Sequence, residues 1–455
     1  MRAGRAVTAA LALGLGVAGA GTAATQGFDA RAAVAAAPPM ALLGPASSAD
    51  PAPEAGEAAA RAALRSMVKA AAIAGTATAE NAAVPAAPEA VPEAARPNGA
   101  PLAGLNLAGL VRAGDHYEAP LAGGRRAVLT LDPAVQAPLE TMLDRYRPPY
   151  AAAVVLDVAT GRVLGFAGVS ADDPAAAPLL PLEPFGPAAS VFKLVTAAAL
   201  LQQDPAVARE TTCFAGGLRR VTARDLDDDA RRDHRCATLG DAVAHSLNVP
   251  IGKMALKRLD PAALLRAAER FGFNRPLPFD VAAPASTARM PETPLELARM
   301  AAGFEGVRLS ALQGALLAAT VGAGGAGRRP AIVARAEPSA PGAPDGYVFA
   351  PETLPRALDA ATAHTLARMM VGTTREGTAR REFAHDPSLR DSGGGVAGKT
   401  GSLRDRERGL DFSWFVGFAP ADAPRVAVAV FVANRALWHI RAPYVARVAL
   451  AAALH

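Results

Sequence analysis

Ala151-Ala152-Ala153-Val154-Val155-Leu156-Asp157, then Val158-Ala159-Thr160-Gly161, then Arg162-Val163-Leu164-Gly165-Phe166-Ala167-Gly168 is the stretch that sets the fold. Two apolar runs flank a turn, which is the pattern of a β-hairpin. Three more strand candidates stand near the other end of the chain: Gly395–Ser402, Phe412–Ala419 and Arg425–Ala433. Helical stretches separate them at Ser190–Leu201, Leu239–Lys257, Pro261–Phe271 and around Arg308–Val321, and a last one runs from Pro443 to Ala453. Before the hairpin, Ala127–Thr130 is strand-like, and Pro133 suits the first turn of a helix reaching Tyr146. Strands at both ends with helices between predict one sheet assembled from both ends and covered by helices, an α/β or α+β enzyme domain.

Outside this region the chain changes character. Arg2 and Arg5 precede an apolar run from Ala6 to about Ala24, with small residues at Ala18-Gly19-Ala20, so residues 1–25 read as a signal peptide or signal anchor. Residues 26–101 are rich in Ala, Pro, Glu and Gly with few bulky apolar side chains. Such a segment cannot bury enough surface to offset its chain entropy and reads as a disordered tether. The folded domain is expected over residues 102–455.

The 455 residues carry a formal charge of +5 with only 5% aromatics. No basic stripe with interleaved aromatics is present, which argues against nucleic acid as a partner. Lysine stands only at 69, 193, 253, 257 and 399; the other cations are arginine or histidine. An amine can be tuned to act as a base and a guanidinium cannot. Lys193 and Lys399 are therefore the interesting ones, whereas Lys253 and Lys257 read as surface residues of a helix. The only cysteines are Cys213 and Cys236. In an oxidising compartment the pair invites a disulfide beside the Ser246 segment, with two buried thiols as the alternative. His234 is the only nearby histidine and a fourth ligand would still be needed for zinc; neither metal nor cofactor is expected.

Three short motifs carry the chemistry. In Ser190-Val191-Phe192-Lys193 the two polar side chains lie three apart, on one face of a helix. A serine hydroxyl is a weak nucleophile until a neighbouring base takes its proton, and a lysine with lowered pKa can do so. The spacing alone says little, since Ser66-Met67-Val68-Lys69 repeats it in the tether. Ser246-Leu247-Asn248 adds a hydroxyl and an amide within one turn. Lys399-Thr400-Gly401-Ser402 follows three glycines, Gly393 to Gly395, and puts a cation and a hydroxyl where glycines admit a ligand backbone. Gly393 through Thr400 also fits Gly-x-x-x-x-Gly-Lys-Thr. A phosphate loop needs an apolar strand before it and a helix after it, whereas here polar residues precede and Gly401 follows at once.

In this order the three motifs resemble the penicillin-recognising serine enzymes. Leu129-Thr130-Leu131-Asp132-Pro133, Val154-Val155-Leu156-Asp157 with Thr160-Gly161, Gly372-Thr373 with Gly377-Thr378-Ala379, and Trp414-Phe415-Val416-Gly417-Phe418-Ala419-Pro420 are similar to segments of the transpeptidase domain of penicillin-binding proteins. The resemblance implies a β-lactamase/transpeptidase-like fold with a central antiparallel sheet, and a serine D,D-transpeptidase working through an acyl-enzyme. It implies Ser190 as nucleophile, Lys193 as its base and Ser246 as proton relay. Asn248 would bind the donor peptide, and Lys399 and Thr400 would hold the donor's terminal carboxylate, with Gly401 giving clearance. The N–H groups of Ser190 and Ser402 would form the oxyanion hole. The partners implied are peptidoglycan stem peptides, β-lactams and other cell-wall synthesis proteins, on the periplasmic or outer side of the membrane. The tether is too short for a glycosyltransferase domain.

The chain departs from the family pattern at Ala189, where a glycine commonly stands, at Ser402 for threonine, and at Ser310-Ala311-Leu312 for Thr-Pro-Leu. Rival readings are a D,D-carboxypeptidase, a β-lactamase, and a non-catalytic β-lactam-sensing or scaffold module. One β-lactamase class needs Glu-x-x-Leu-Asn, but here Glu292-Thr293-Pro294-Leu295 continues with Glu296. Another uses Ser-x-Val in place of Ser-x-Asn.

Overall fold

The computed structural model describes residues 100–455 apart from 218–219 and 436–438. The expected export segment, the tether up to residue 99, and Ser66–Lys69 lie outside the described residues. Among the described residues no helix is long and apolar enough to cross a membrane.

Helix α1 (Pro133–Tyr146) begins where expected. The Asp132 side chain accepts the Ala134 N–H and proline occupies the first turn. Strands β1 (Tyr150–Asp157) and β2 (Val163–Val169) form the hairpin. Its turn is held by Asp157, whose carboxylate accepts from both the N–H and the hydroxyl of Thr160. Helices follow: α2 (Lys193–Gln203), α3 (Leu239–Ala244), α4 (Asn248–Arg258), α5 (Pro261–Arg270), α6 (Pro294–Ala302), α7 (Ala311–Gly322) and α8 (Ala360–Arg375). Strands β3 (Ala397–Asp405), β4 (Leu410–Ala419) and β5 (Val426–Asn434) and helix α9 (Ala442–Leu454) complete the domain.

The central sheet runs β3-β4-β5-β1-β2, antiparallel throughout. The last strand, β5, lies beside β1, with Ala429 opposite Val154, so segments from before and after the helices build one sheet; the earlier strand Arg126–Leu129 pairs instead with Val333–Ala336 in a second sheet. Every residue of β5 is buried, because the sheet is covered on both faces. Val426, Val428, Val430 and Val432 pack with α1 and α9, while Ala427, Ala429 and Phe431 pack in the larger core with α7. Each such valine contributes on the order of 1.5–3 kcal/mol by burial. Gly314 of α7 lets the helix approach closely: a Cβ there would meet Ala429 Cβ at 3.0 Å.

Three sequence expectations need correction. The helix expected over Leu239–Lys257 is two helices, because Ser246 takes a left-handed φ of +57° between them. Arg308 is not helical but lies in a strand, Val307–Leu309. The helix after it starts once the Ser310 hydroxyl accepts the Gln313 N–H. Lys253 is a buried residue rather than a surface one; it bonds to Asp233 at 2.5 Å and to Asp228 at 3.2 Å. Buried cations are normally paired in this way.

Candidate active site

The site is built where α2 meets the edge strand β3. Helix α2 is apolar on every side and buried almost throughout, so it runs through the core rather than over it. A 3-10 turn, Ala189–Phe192, leads into it and carries Ser190. Ala189, just before the serine, takes φ +49°, a region that favours glycine and explains why alanine there is a departure. Two close approaches fix this turn. A Cβ on Gly303 would stand 1.9 Å from the Ala189 carbonyl, and one on Gly401 would stand 3.2 Å from Ala189 Cβ. Trp414 of β4 donates its indole N–H to the Pro187 carbonyl at 2.9 Å.

Lys193 Nζ lies 2.7 Å from Ser190 Oγ, 2.8 Å from Asn248 Oδ1 and 2.8 Å from the Ala302 carbonyl. A neutral amine has two N–H donors and one lone pair. Asn248 Oδ1 and the Ala302 carbonyl can only accept, whereas the serine hydroxyl can donate. The three partners therefore suit an uncharged Lys193 whose lone pair faces the Ser190 proton. Burial, and secondarily the nearby Lys399 charge, hold Lys193 well below the ordinary lysine pKa. Asn248 is itself oriented, since its Nδ2 donates to the Gly217 carbonyl at 2.9 Å.

Lys399 is also fully buried. Its Nζ donates to Ser246 Oγ and to the Thr400 carbonyl, both at 2.9 Å. Burial lowers its pKa to about 7. Among the described residues no carboxylate bonds to Ser190, Lys193 or Lys399, which leaves both amines free of an anionic partner. Such a site can pass a proton from a serine hydroxyl to an amine, and can receive an anion beside a second buried amine.

The three motifs thus come together as two linked pairs, Lys193 with Ser190 and Asn248, and Lys399 with Ser246. Gly401 lies against the turn that carries Ser190. Ser402 continues β3 opposite Ser413 and is exposed, and its side chain makes no hydrogen bond to the other site residues. Several contributors escaped the motifs. The Ala302 carbonyl has no side-chain signature, and Gly217 is one glycine among many. Phe304, whose ring centre is 5.8 Å from Lys193 Nζ, carries no polar signal. Thr378, whose hydroxyl is 2.5 Å from that of Thr400, sits in a segment singled out only by resemblance.

Cys213 and Cys236 are joined by a disulfide across a two-stranded hairpin, Thr211–Phe214 with Arg235–Thr238. The loop it closes carries Gly217 and so borders the site at Asn248. Glu292 and Glu296 stand at the start of α6, where the Thr293 hydroxyl accepts the Glu296 N–H and the Glu296 carboxylate accepts the Glu292 N–H. The Ala302 carbonyl is at the other end of this nine-residue helix, about 12 Å away at 1.5 Å per residue.

The family model for the penicillin-binding protein transpeptidase domain matches residues 151–451. The chain is 29% identical over 264 residues to the peptidoglycan D,D-transpeptidase PbpA of Mycobacterium tuberculosis, covering 55% of this chain and 50% of that protein. It is 29% identical over 262 residues to the protein of the same name from Mycolicibacterium smegmatis, covering 54% and 49%. The chain therefore spans about half the length of the curated relatives it matches. Among solved structures, the D,D-transpeptidase domain of a peptidoglycan glycosyltransferase from Eggerthella lenta is similar at a TM-score of 0.55 and 27% identity. That match covers 72% of this chain and 82% of that one. The imipenem acyl-enzyme complex of penicillin-binding protein A from M. tuberculosis is similar in fold at a TM-score of 0.59 and 24% identity, covering 72% and 79%.

Proposed function

This chain belongs to the penicillin-binding protein transpeptidase family, and from that premise we propose that it is a serine D,D-transpeptidase acting on peptidoglycan stem peptides. The observation that carries the reading is the Lys193 amine, buried without an anionic partner and 2.7 Å from the Ser190 hydroxyl. Ser190 Oγ attacks the carbonyl of the penultimate D-alanine while Lys193 takes its proton. The terminal D-alanine leaves with a proton returned through Ser246, which accepts from Lys399. The acyl group, now an ester on Ser190, passes to the amine of a second stem peptide. Lys399 and Thr400 hold the donor carboxylate, and Asn248 the donor amide. The N–H groups of Ser190 and Ser402 form the oxyanion hole. A charge that develops at such preorganised donors is stabilised by several kcal/mol.

The same assignment makes β-lactams covalent ligands of Ser190. It also places the domain on the exported side of the membrane with other cell-wall synthesis proteins as partners. The export segment, residues 1–25, and the tether, residues 26–101, would deliver and position the domain, residues 102–455. The test is incubation with a stem pentapeptide ending in D-Ala-D-Ala, with and without a stem-peptide amine acceptor. Release of D-alanine with formation of the cross-linked dimer is expected. Release into water alone would make it a carboxypeptidase, and no release from folded protein would refute the reading.

A further inference from the structure

Thr378 lies in the turn after α8, outside the three motifs, and three contacts fix it. The Thr378 N–H donates to the Ala244 carbonyl at 3.2 Å. A Cβ on Gly377 would stand 2.0 Å from that same carbonyl, so the approach requires glycine. Thr374 Oγ1 donates to the Val396 carbonyl at 2.6 Å, one residue before β3. The turn is thus pinned both to the segment leading into Ser246 and to the strand carrying Lys399 and Thr400. From it the Thr378 hydroxyl reaches the Thr400 hydroxyl at 2.5 Å, on the exposed side of the site.

Each hydroxyl has a single proton, and in this pair one must donate to the other. A carboxylate can only accept. If Thr400 gave its proton to Thr378, it would offer lone pairs to the anion. If Thr378 gives its proton to Thr400, the Thr400 proton is turned outward, and each bond in the chain polarises the next. We infer that Thr378 is a positioning residue of the carboxylate subsite, orienting the Thr400 hydroxyl as a donor to the terminal carboxylate of stem peptides and β-lactams. The inference rests on the reading of Lys399 and Thr400 as the carboxylate holders.

The experiment compares rates of Ser190 acylation by penicillin and by its methyl ester, which lacks the anion, in the full chain. The ratio of the two rates should fall about tenfold in Thr378→Val, the low end for a hydrogen bond to a charged group. Thr378→Ser, which keeps the hydroxyl, should restore it. An unchanged ratio in Thr378→Val would overturn the inference, whether both rates hold or both fall together through displacement of the turn. Failure of penicillin to label Ser190 in the unsubstituted chain would instead sink the functional reading itself, and the inference with it.

Discussion

Two lysines buried without carboxylates set the pH behaviour of the site. Both must shed charge more readily than an exposed lysine, but they are needed in opposite states. In the proposed mechanism Lys193 serves as a base only when neutral, and Lys399 attracts a carboxylate only when charged. Acylation by penicillin, measured as a second-order rate, reports the free protein. It should rise with pH as Lys193 deprotonates and fall above about 7 as Lys399 does. Lys399→Met should remove the falling limb and lower the rate throughout; a falling limb that survives would show that another group causes it. Stability carries the converse signature. Below about 7 Lys399 is charged in both folded and unfolded chain, so the cost of burying its charge is fully present. Between about 7 and 10.5 the unfolded chain binds more protons, and stability rises with pH. Thermal unfolding should therefore find Lys399→Met more stable than the unsubstituted chain at pH 6, with the advantage shrinking by pH 9. An advantage independent of pH would contradict this. Gly303 offers a geometric test, with φ at +85° and no room for a Cβ against the Ala189 carbonyl. Gly303→Ala should shift the nucleophile turn and cut acylation at least tenfold, while Gly324→Ala, also at positive φ but open to solvent, should not.

At the scale of elements, the site depends on a hairpin and a helix that contribute no motif residue. The Cys213–Cys236 disulfide closes the loop whose Gly217 carbonyl orients Asn248. From the 23-residue separation, loop closure is worth about 3 kcal/mol in the chain-entropy picture. Lys253 ties the same loop to α4 through the Cys213 and Asp227 carbonyls and through Asp228 and Asp233. Reduction and alkylation should lower the melting temperature and slow acylation by weakening the hold on Asn248; an unchanged acylation rate would mean that Asn248 is fixed without the loop. Lys253→Ala should raise hydrogen exchange across residues 211–235 before it does so in the central sheet. What the sequence revealed, and what it hid, follows from the same contacts. The β1–β2 hairpin, β4 and β5 were legible because long apolar runs mark strands buried on both faces. The break at Ser246 was not, since the left-handed turn that ends the helix, closed by the Leu247 N–H on the Ala242 carbonyl, usually falls on glycine or asparagine and here falls on serine. Lys253 was misread because its partners lie 20 and 25 residues away in the loop, where spacing gives no hint of pairing.

For the whole molecule, one sheet joins segments from before and after the helices and presents β3 beside the apolar helix α2, so that motifs far apart in sequence share one site. The motif residues were legible because their chemistry is in their side chains, but the Ala302 and Gly217 carbonyls and the Thr378 hydroxyl were not, because their roles depend on the packing of α6, the disulfide loop and α8. The arrangement separates forming an acyl-enzyme from breaking it. In the proposed mechanism Lys193 activates Ser190, but Glu292 and Glu296 stand at the far end of α6 from the Ala302 carbonyl, and the Glu296 carboxylate is held there by the Glu292 N–H. A deacylating water would need its own base. The most direct test is intact mass followed by peptide mapping after exposure to penicillin, then timed after free drug is removed. The account predicts one penicilloyl group on Ser190, absent in a folded Ser190→Ala variant and persisting for minutes or longer. Labelling at another residue, or loss of the adduct within about a second with turnover of penicillin, a difference of roughly 2.5 kcal/mol in the deacylation barrier, would contradict it.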